Sequence, residues 1–195
     1  MNVEPVRLAG STVTLEPLEL RHAPALWRVH DPEIFRYTLD FPADPSLEAF
    51  EAYIGRCRTA PASLDFAMIG PPEAGSEPIG CSAYLEIRPA HRGLEIGRTW
   101  ISRAWQGTRV NPESKYLLLR HAFETLGALR VQFKTDLRNA HSQRAIEKLG
   151  AHREGVLRNF QVRANGLPRD TVMYSVIADE WPAVKARLEE RLRRS

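Results

Sequence analysis

Cysteine is scarce in this 195-residue chain: Cys57 and Cys81 are the only two, and neither belongs to a CxxC pair or a Cys/His spacing. That excludes a disulfide framework and a zinc module of the usual spacing, and two reduced packing cysteines fit a cytoplasmic setting. Long apolar runs are missing too. No stretch approaches the roughly 20 residues needed to span a bilayer, and Met1 to Gly10 places Glu4, Pro5 and Arg7 where a secretion signal would be apolar. A soluble chain without membrane association is expected. Charge of one sign is also in short supply, since the net charge is +3, which suits a small polyanion as well as a larger one. The basic stretch Arg187 to Arg193 is interleaved with Glu189 and Glu190 at helical spacing, the pattern of a solvated helix face. No basic stripe with interleaved aromatics is present, so direct nucleic-acid binding is not expected.

What is there suffices for one buried core. With 43% hydrophobic residues and no repeat or linker, the expectation is a single domain over residues 1–195. Val13, Leu15 and Leu18 begin it as a short strand, followed by a short helix within Ala23 to His30. Ser46 reads as the N-cap of an amphipathic helix carrying Leu47, Phe50, Tyr53, Ile54 and Cys57 on one face. Leu64 to Gly70 and Pro78 to Arg88 read as a hairpin across the turn-rich Pro71 to Gly75. A further strand, Leu94 to Ser102, runs through Arg103 to Asn111 into a helix with Pro112 in its first turn and a stop at Gly127. Val131, Phe133 and Thr135 alternate with polar residues as a strand. Asn139 then caps a short helix that ends at Gly150. Val156 to Val162 and Asp170 to Ile177 flank Asn165-Gly166 as an antiparallel hairpin, and a C-terminal helix is expected at about residues 179–193.

The junction Trp105-Gln106-Gly107-Thr108-Arg109-Val110-Asn111 is the first candidate site. A glycine-bearing turn at a helix N-terminus presents unpaired N–H groups and the positive end of the helix dipole, which suits a pyrophosphate. One glycine before a helix is more often only a turn. The segment nevertheless resembles the signature Gln/Arg-x-x-Gly-x-Gly/Ala of the GNAT acetyltransferases, with Ala104 and Arg109 departing at its ends and Gly107 matching at its centre. Downstream, Asn139-Ala140-His141-Ser142 with Ala145, Lys148 and Leu149-Gly150 is similar to the start of a GNAT helix. Glu154-Gly155-Val156-Leu157-Arg158 and Arg169-Asp170-Thr171-Val172-Met173-Tyr174-Ser175-Val176 resemble the branch that acetylates ribosomal-protein N-termini, the RimJ/RimL-like enzymes.

The resemblance implies an α/β fold, a mixed twisted sheet flanked by helices, whose parallel strands splay where acetyl-CoA enters. It implies that the backbone of Thr99, Trp100 and Ile101 pairs with the pantetheine arm as an added strand does. Gln106, Gly107, Thr108, Arg109, Val110 and Asn111 would then surround the phosphates, and Asn139 would contact pantetheine. Many family members use a tyrosine to protonate the departing thiolate, but Ile146 stands at that position. The branch looks instead to a serine, here Ser142, at a helix N-terminus that favours negative charge. The branch's glutamate falls at Gln161, which cannot accept a proton. Glu95 is the candidate base, acting through water, with His30 and His91 as further candidates and Phe35-Arg36-Tyr37 near the acceptor.

The expected reaction is metal-free transfer of acetyl to a primary amine, either a protein N-terminus, a ribosomal protein being one candidate, or a small molecule. An α-amine titrates at about 7.7 to 8.0 against about 10.4 for lysine, so it needs less help from a base. The C-terminal hairpin is available for a homodimer. Two rival readings stay open: a non-catalytic acyl-CoA-binding regulatory module, and a ribosome- or RNA-binding accessory protein.

Overall fold

The computed structural model describes residues 1–42, 44, 46–163 and 166–194. Eight strands form one sheet: β1 (Leu8–Ala9), β2 (Thr14–Pro17), β3 (Leu64–Ile69), β4 (Pro78–Arg88), β5 (Gly93–Ile101), β6 (Arg130–Asp136), β7 (His152–Val162) and β8 (Pro168–Ile177). Their order is β1-β2-β3-β4-β5-β6-β8-β7. Every pairing is antiparallel except that of β5 with β6. Among the described residues five α-helices accompany them: α1 (Ala23–Val29), α2 (Leu47–Thr59), α3 (Val110–Arg120), α4 (Ala140–Leu149) and α5 (Trp181–Arg194).

The helix boundaries follow from local chemistry. Ser46 Oγ accepts the Ala49 N–H at 3.1 Å at the start of α2, and Phe50, Tyr53, Ile54 and Cys57 make its buried face. Asn139 Oδ1 accepts the Ser142 N–H at 3.0 Å to open α4, which Gly150 closes in the left-handed conformation at φ +100°. The Asn165 half of the expected Asn165-Gly166 turn lies outside the described residues. Gly166 itself sits at φ +78° and donates its N–H to the Arg163 carbonyl at 2.9 Å. The strand β1 and the π-helical turn His121–Thr125 that extends α3 were not legible in the periodicity.

The sheet separates two cores. One gathers Leu94, Ile96, Val110, Leu118, Val131, Phe133, Ile146, Val172, Tyr174 and Leu188 under α3, α4 and α5. The other holds Phe50, Tyr53, Ile54, Phe35 and Trp100 under α1 and α2. A buried carboxylate ties the N-terminal loop to the first core. Glu113 on α3 accepts the N–H groups of Ser11 at 2.8 Å, Thr12 at 2.6 Å and Val13 at 3.0 Å, and the Ser11 hydroxyl at 2.7 Å. Gly10 makes room for it: a Cβ there would fall 2.6 Å from the Glu113 carboxyl carbon, so the carboxylate would have to shift away from these hydrogen bonds.

Candidate active site

Strands β5 and β6 pair only at Gly93↔Arg130, Leu94↔Val131 and Glu95↔Gln132, and then part. A bulge accompanies the parting: the register against β4 shifts between Cys81 and Ala83, and Arg98 takes φ +48°. An inserted residue bends its strand and re-aims the side chains around it. Below the bulge Leu94 and Ile96 face the α3 core; above it that direction belongs to Thr99 and Ile101. A cleft of about 760 Å³ follows the split.

Along one wall runs the β5 edge at Thr99-Trp100-Ile101, which β6 does not pair. The Trp100 and Ile101 side chains are buried in the two cores, so this segment offers the cleft mainly its backbone. The wall leads to the turn before α3. Gln106 Nε2 donates to the Ile101 carbonyl at 3.0 Å and the Thr108 hydroxyl to the Trp105 carbonyl at 2.8 Å. Gly107 adopts φ +78°, with open space where a Cβ would stand. Of the turn, Gln106, Gly107 and Asn111 line the cleft. Asn111 Oδ1 is buried there without a hydrogen-bond partner. Three of the expected phosphate residues are placed otherwise. Val110 points its side chain into the core and donates its N–H to Thr108 Oγ1 at 3.3 Å, while Thr108 and Arg109 lie off the cleft lining.

Opposite, α4 contributes Asn139, Ser142, Ala145 and Ile146. Because Asn139 Oδ1 caps the helix through the Ser142 N–H, its amide N–H group is left for a ligand, and the Ser142 hydroxyl is uncommitted among the described residues. Between the walls stands Lys115, which the periodicity did not single out. It is 5% exposed, lines the cleft, and donates to Ser82 Oγ at 3.0 Å and to Thr99 Oγ1. Burial without a carboxylate partner pushes its ammonium down to about 7. Its signal was a lysine three and four residues before Leu118 and Leu119 on a buried helix face.

The other face of the split is polar. Glu95, the candidate base, is 4% exposed. Its Oε2 pairs with Lys134 Nζ at 2.8 Å, and burial raises its carboxyl while Lys134 works against that rise. Lys134 also bridges to Glu86. Gln161 and Arg169, cross-strand partners on β7 and β8, line the same space, as does Tyr37. His30 is elsewhere, stacked on Trp27 at 4.1 Å with Nδ1 against the Trp27 carbonyl. His91 is exposed on a 3-10 turn off the cleft lining. Phe35 belongs to the second core, and Arg36 is exposed and paired with Glu33 at 3.8 Å.

A strand pair that parts beside a helix N-terminus is also the arrangement of a known family, and the acetyltransferase (GNAT) domain matches residues 12–152. The chain belongs to the GNAT acetyltransferase family. A crystal structure of a T. thermophilus protein is 47% identical to this GNAT chain, covers 98% of it and 100% of its own length, and superposes with a TM-score of 0.92. YdaF of Bacillus subtilis (strain 168), whose name carries a provisional ribosomal N-acetyltransferase assignment, is 32% identical over 106 residues. That match spans 54% of this chain and 57% of YdaF. Mycobacterium smegmatis RimJ, solved with CoA-disulfide, shares the GNAT fold at 19% identity and a TM-score of 0.78, covering 96% of this chain and 93% of its own. Among the described residues no helix is long and apolar enough to cross a membrane. No group of three or more His, Cys, Asp or Glu side chains among them could hold a metal.

Proposed function

We propose that this chain is an acetyl-CoA-dependent N-acetyltransferase acting on a primary amine. The observation that carries the reading is the split between β5 and β6, which leaves an unpaired strand edge running to the N-terminus of α3. The residues present fit the cofactor: the β5 edge at Thr99 to Ile101 would hold the pantetheine arm, with the Asn139 amide and the orphaned Asn111 Oδ1 as further polar partners. Gly107, with nothing within 4 Å of its Cβ position, leaves room for phosphates to approach the backbone. Acetyl-CoA supplies an activated acetyl thioester when bound.

The protein's own part is proton management and orientation. Ser142 Oγ, uncommitted because the cap uses the Ser142 N–H, donates a proton toward the departing sulfur. Glu95, with its carboxyl raised by burial, accepts the amine's proton through water, and Lys134 limits that rise. A protein α-amine, that of a ribosomal protein included, is one acceptor class within this proposal, supported by the YdaF name and by the modest basicity an α-amine demands. A cytoplasmic setting agrees with Cys57 and Cys81 being free and buried. Exposed Leu157, Phe160 and Val162 on β7 support a homodimer through the C-terminal hairpin. The deciding experiment joins thermal melting with acetyl-CoA to an acceptor screen of small amines and N-terminal peptides, read by thiol release. A melting shift with release in the presence of an amine is expected. No shift at millimolar acetyl-CoA would overturn the proposal, and a shift without release for any amine would favour the non-catalytic binding module.

A further inference from the structure

The polar face of the cleft holds more cations than it can pair. Lys134 binds Glu95 and Glu86. Asp136 is taken by Arg138, whose Nε lies 3.1 Å from Oδ1, and by Arg163, whose Nη2 lies 3.3 Å from Oδ2. Glu95 and Asp136 are the carboxylates that act electrostatically on Arg169, and both are already occupied. Arg169 is only 6% exposed, lines the cleft, and has no ion pair within 4.0 Å among the described residues. Its Nε is buried without a hydrogen-bond partner, and so is Oε1 of Gln161, its cross-strand neighbour.

A buried guanidinium without a counterion is costly unless something supplies one, because desolvation penalises the charge and its donors stay unmet. Desolvation lowers the Arg169 pKa, and Asp136 and Glu95 only partly work against that fall. Arg169 stands on the same face of the split as Glu95, away from the α3 wall, so an anion reaching it arrives with the acceptor. The planar fork of a guanidinium matches a carboxylate in two hydrogen bonds, and Gln161 Oε1 beside it can take an N–H from the same molecule.

We propose that Arg169 and Gln161 form an acceptor subsite for a carboxylate, so that the preferred acceptor carries a carboxylate close to its primary amine. The inference rests on the amine-acetylation reading above and narrows its substrate class. The carboxylate can come from a free amino acid or from an acidic side chain at a peptide N-terminus.

The test is calorimetric binding to the protein saturated with free CoA, where no turnover intervenes, followed by kcat/KM with acetyl-CoA. The ligands are matched pairs: glycine and glycinamide, β-alanine and β-alaninamide, γ-aminobutyrate and its amide, and peptides beginning with Asp or Asn. In at least one pair the acid is expected to exceed its uncharged partner roughly ten- to a hundredfold. The pair that responds separates the amino-acid source from the peptide source. Arg169→Gln should bring that ratio to about one. Should Arg169→Gln fail to fold, as judged by its melting curve, Gln161→Glu gives the same readout by placing a carboxylate of the protein's own against the guanidinium. Parity in every pair, or a preference that survives the substitution, overturns the subsite. CoA binding and acetylation of uncharged amines would still stand in that case, whereas loss of CoA binding in the wild type would instead bring down the acetyltransferase reading.

Discussion

The two faces of the split sheet carry opposite chemistry. Toward α3 and α4, strands β5, β6 and β8 present Leu94, Ile96, Val131, Phe133, Val172 and Tyr174, and Lys115 is the cation that face directs into the cleft. Toward the opposite side the same strands present Glu95, Gln132, Lys134, Asp136, Arg169 and Thr171, all buried or nearly so. Alternation along each strand makes both faces at once. The contrast teaches where work is divided: an apolar wall needs only backbone and a few hydroxyls to seat a long ligand, while a paired polar floor can choose an acceptor and move its proton.

If that division holds, the largest effect falls on the α4 wall. Ser142→Ala is expected to lower kcat by about 10²- to 10⁴-fold where thiolate protonation limits the rate, with a much smaller change in the Kd for acetyl-CoA. Wild-type kcat in this variant, with pre-steady-state kinetics showing chemistry to be limiting, would remove Ser142 from the reaction. On the polar floor, Glu95→Gln should reduce kcat/KM about a hundredfold near neutral pH. Because burial raises the Glu95 carboxyl, the wild-type rate should fall with acidification at a pH above the ordinary carboxylate range. A pH–rate profile without that acidic limb would mean Glu95 serves Lys134 as a counterion and nothing more.

Lys115 breaks the apolar face, and it sharpens the comparison through stability. Its folded-state pKa, about 7, lies below the 10.5 of an ordinary lysine. Between those values the unfolded chain binds a proton that the folded chain does not, so stability rises with pH across that window. The contribution is lost as pH falls through about 7. Lys115→Met should flatten this dependence and stabilise the protein below pH 7 by on the order of 1–4 kcal/mol. Denaturant melts at several pH values read this directly, and an unchanged slope would show that Lys115 stays charged when folded.

Most of the fold was legible because its elements carry complete local signals. Ser46 and Asn139 are caps, Gly150 is a stop, and the alternation at Val131 to Asp136 names a strand together with its faces. The site was harder to read for physical reasons. Nothing in the spacing of Lys134 or Arg169 separates a polar strand face in water from one enclosed in a cleft, since both alternate identically. The burial of Glu95 was hidden for the same reason. The turn before α3 was marked by Gly107, yet a run from Gln106 to Asn111 could not say which residues turn inward. The structure sends Val110 to the core and leaves Thr108 and Arg109 off the lining.

That last distinction gives the smallest expected effect. Arg109 stands at the N-cap of α3 with φ −66° and ψ −19°, an ordinary right-handed conformation that asks nothing of glycine. Its carbonyl accepts the Glu113 N–H at 2.9 Å, and every substitution except proline keeps its own N–H. Arg109→Gly therefore removes only a half-buried side chain that does not line the cleft, and the Kd for acetyl-CoA should change by less than about threefold, within the small range that one surface charge contributes. Gly107 is the opposite case. At φ +78° a β-branched residue is strained by roughly 1–3 kcal/mol even though the space around it is open. Gly107→Val should accordingly weaken acetyl-CoA binding about ten- to a hundredfold as the turn relaxes out of shape. Equal losses in the two variants would mean that the Arg109 guanidinium swings onto a phosphate when the cofactor arrives, and the turn would then bind by charge rather than by its backbone.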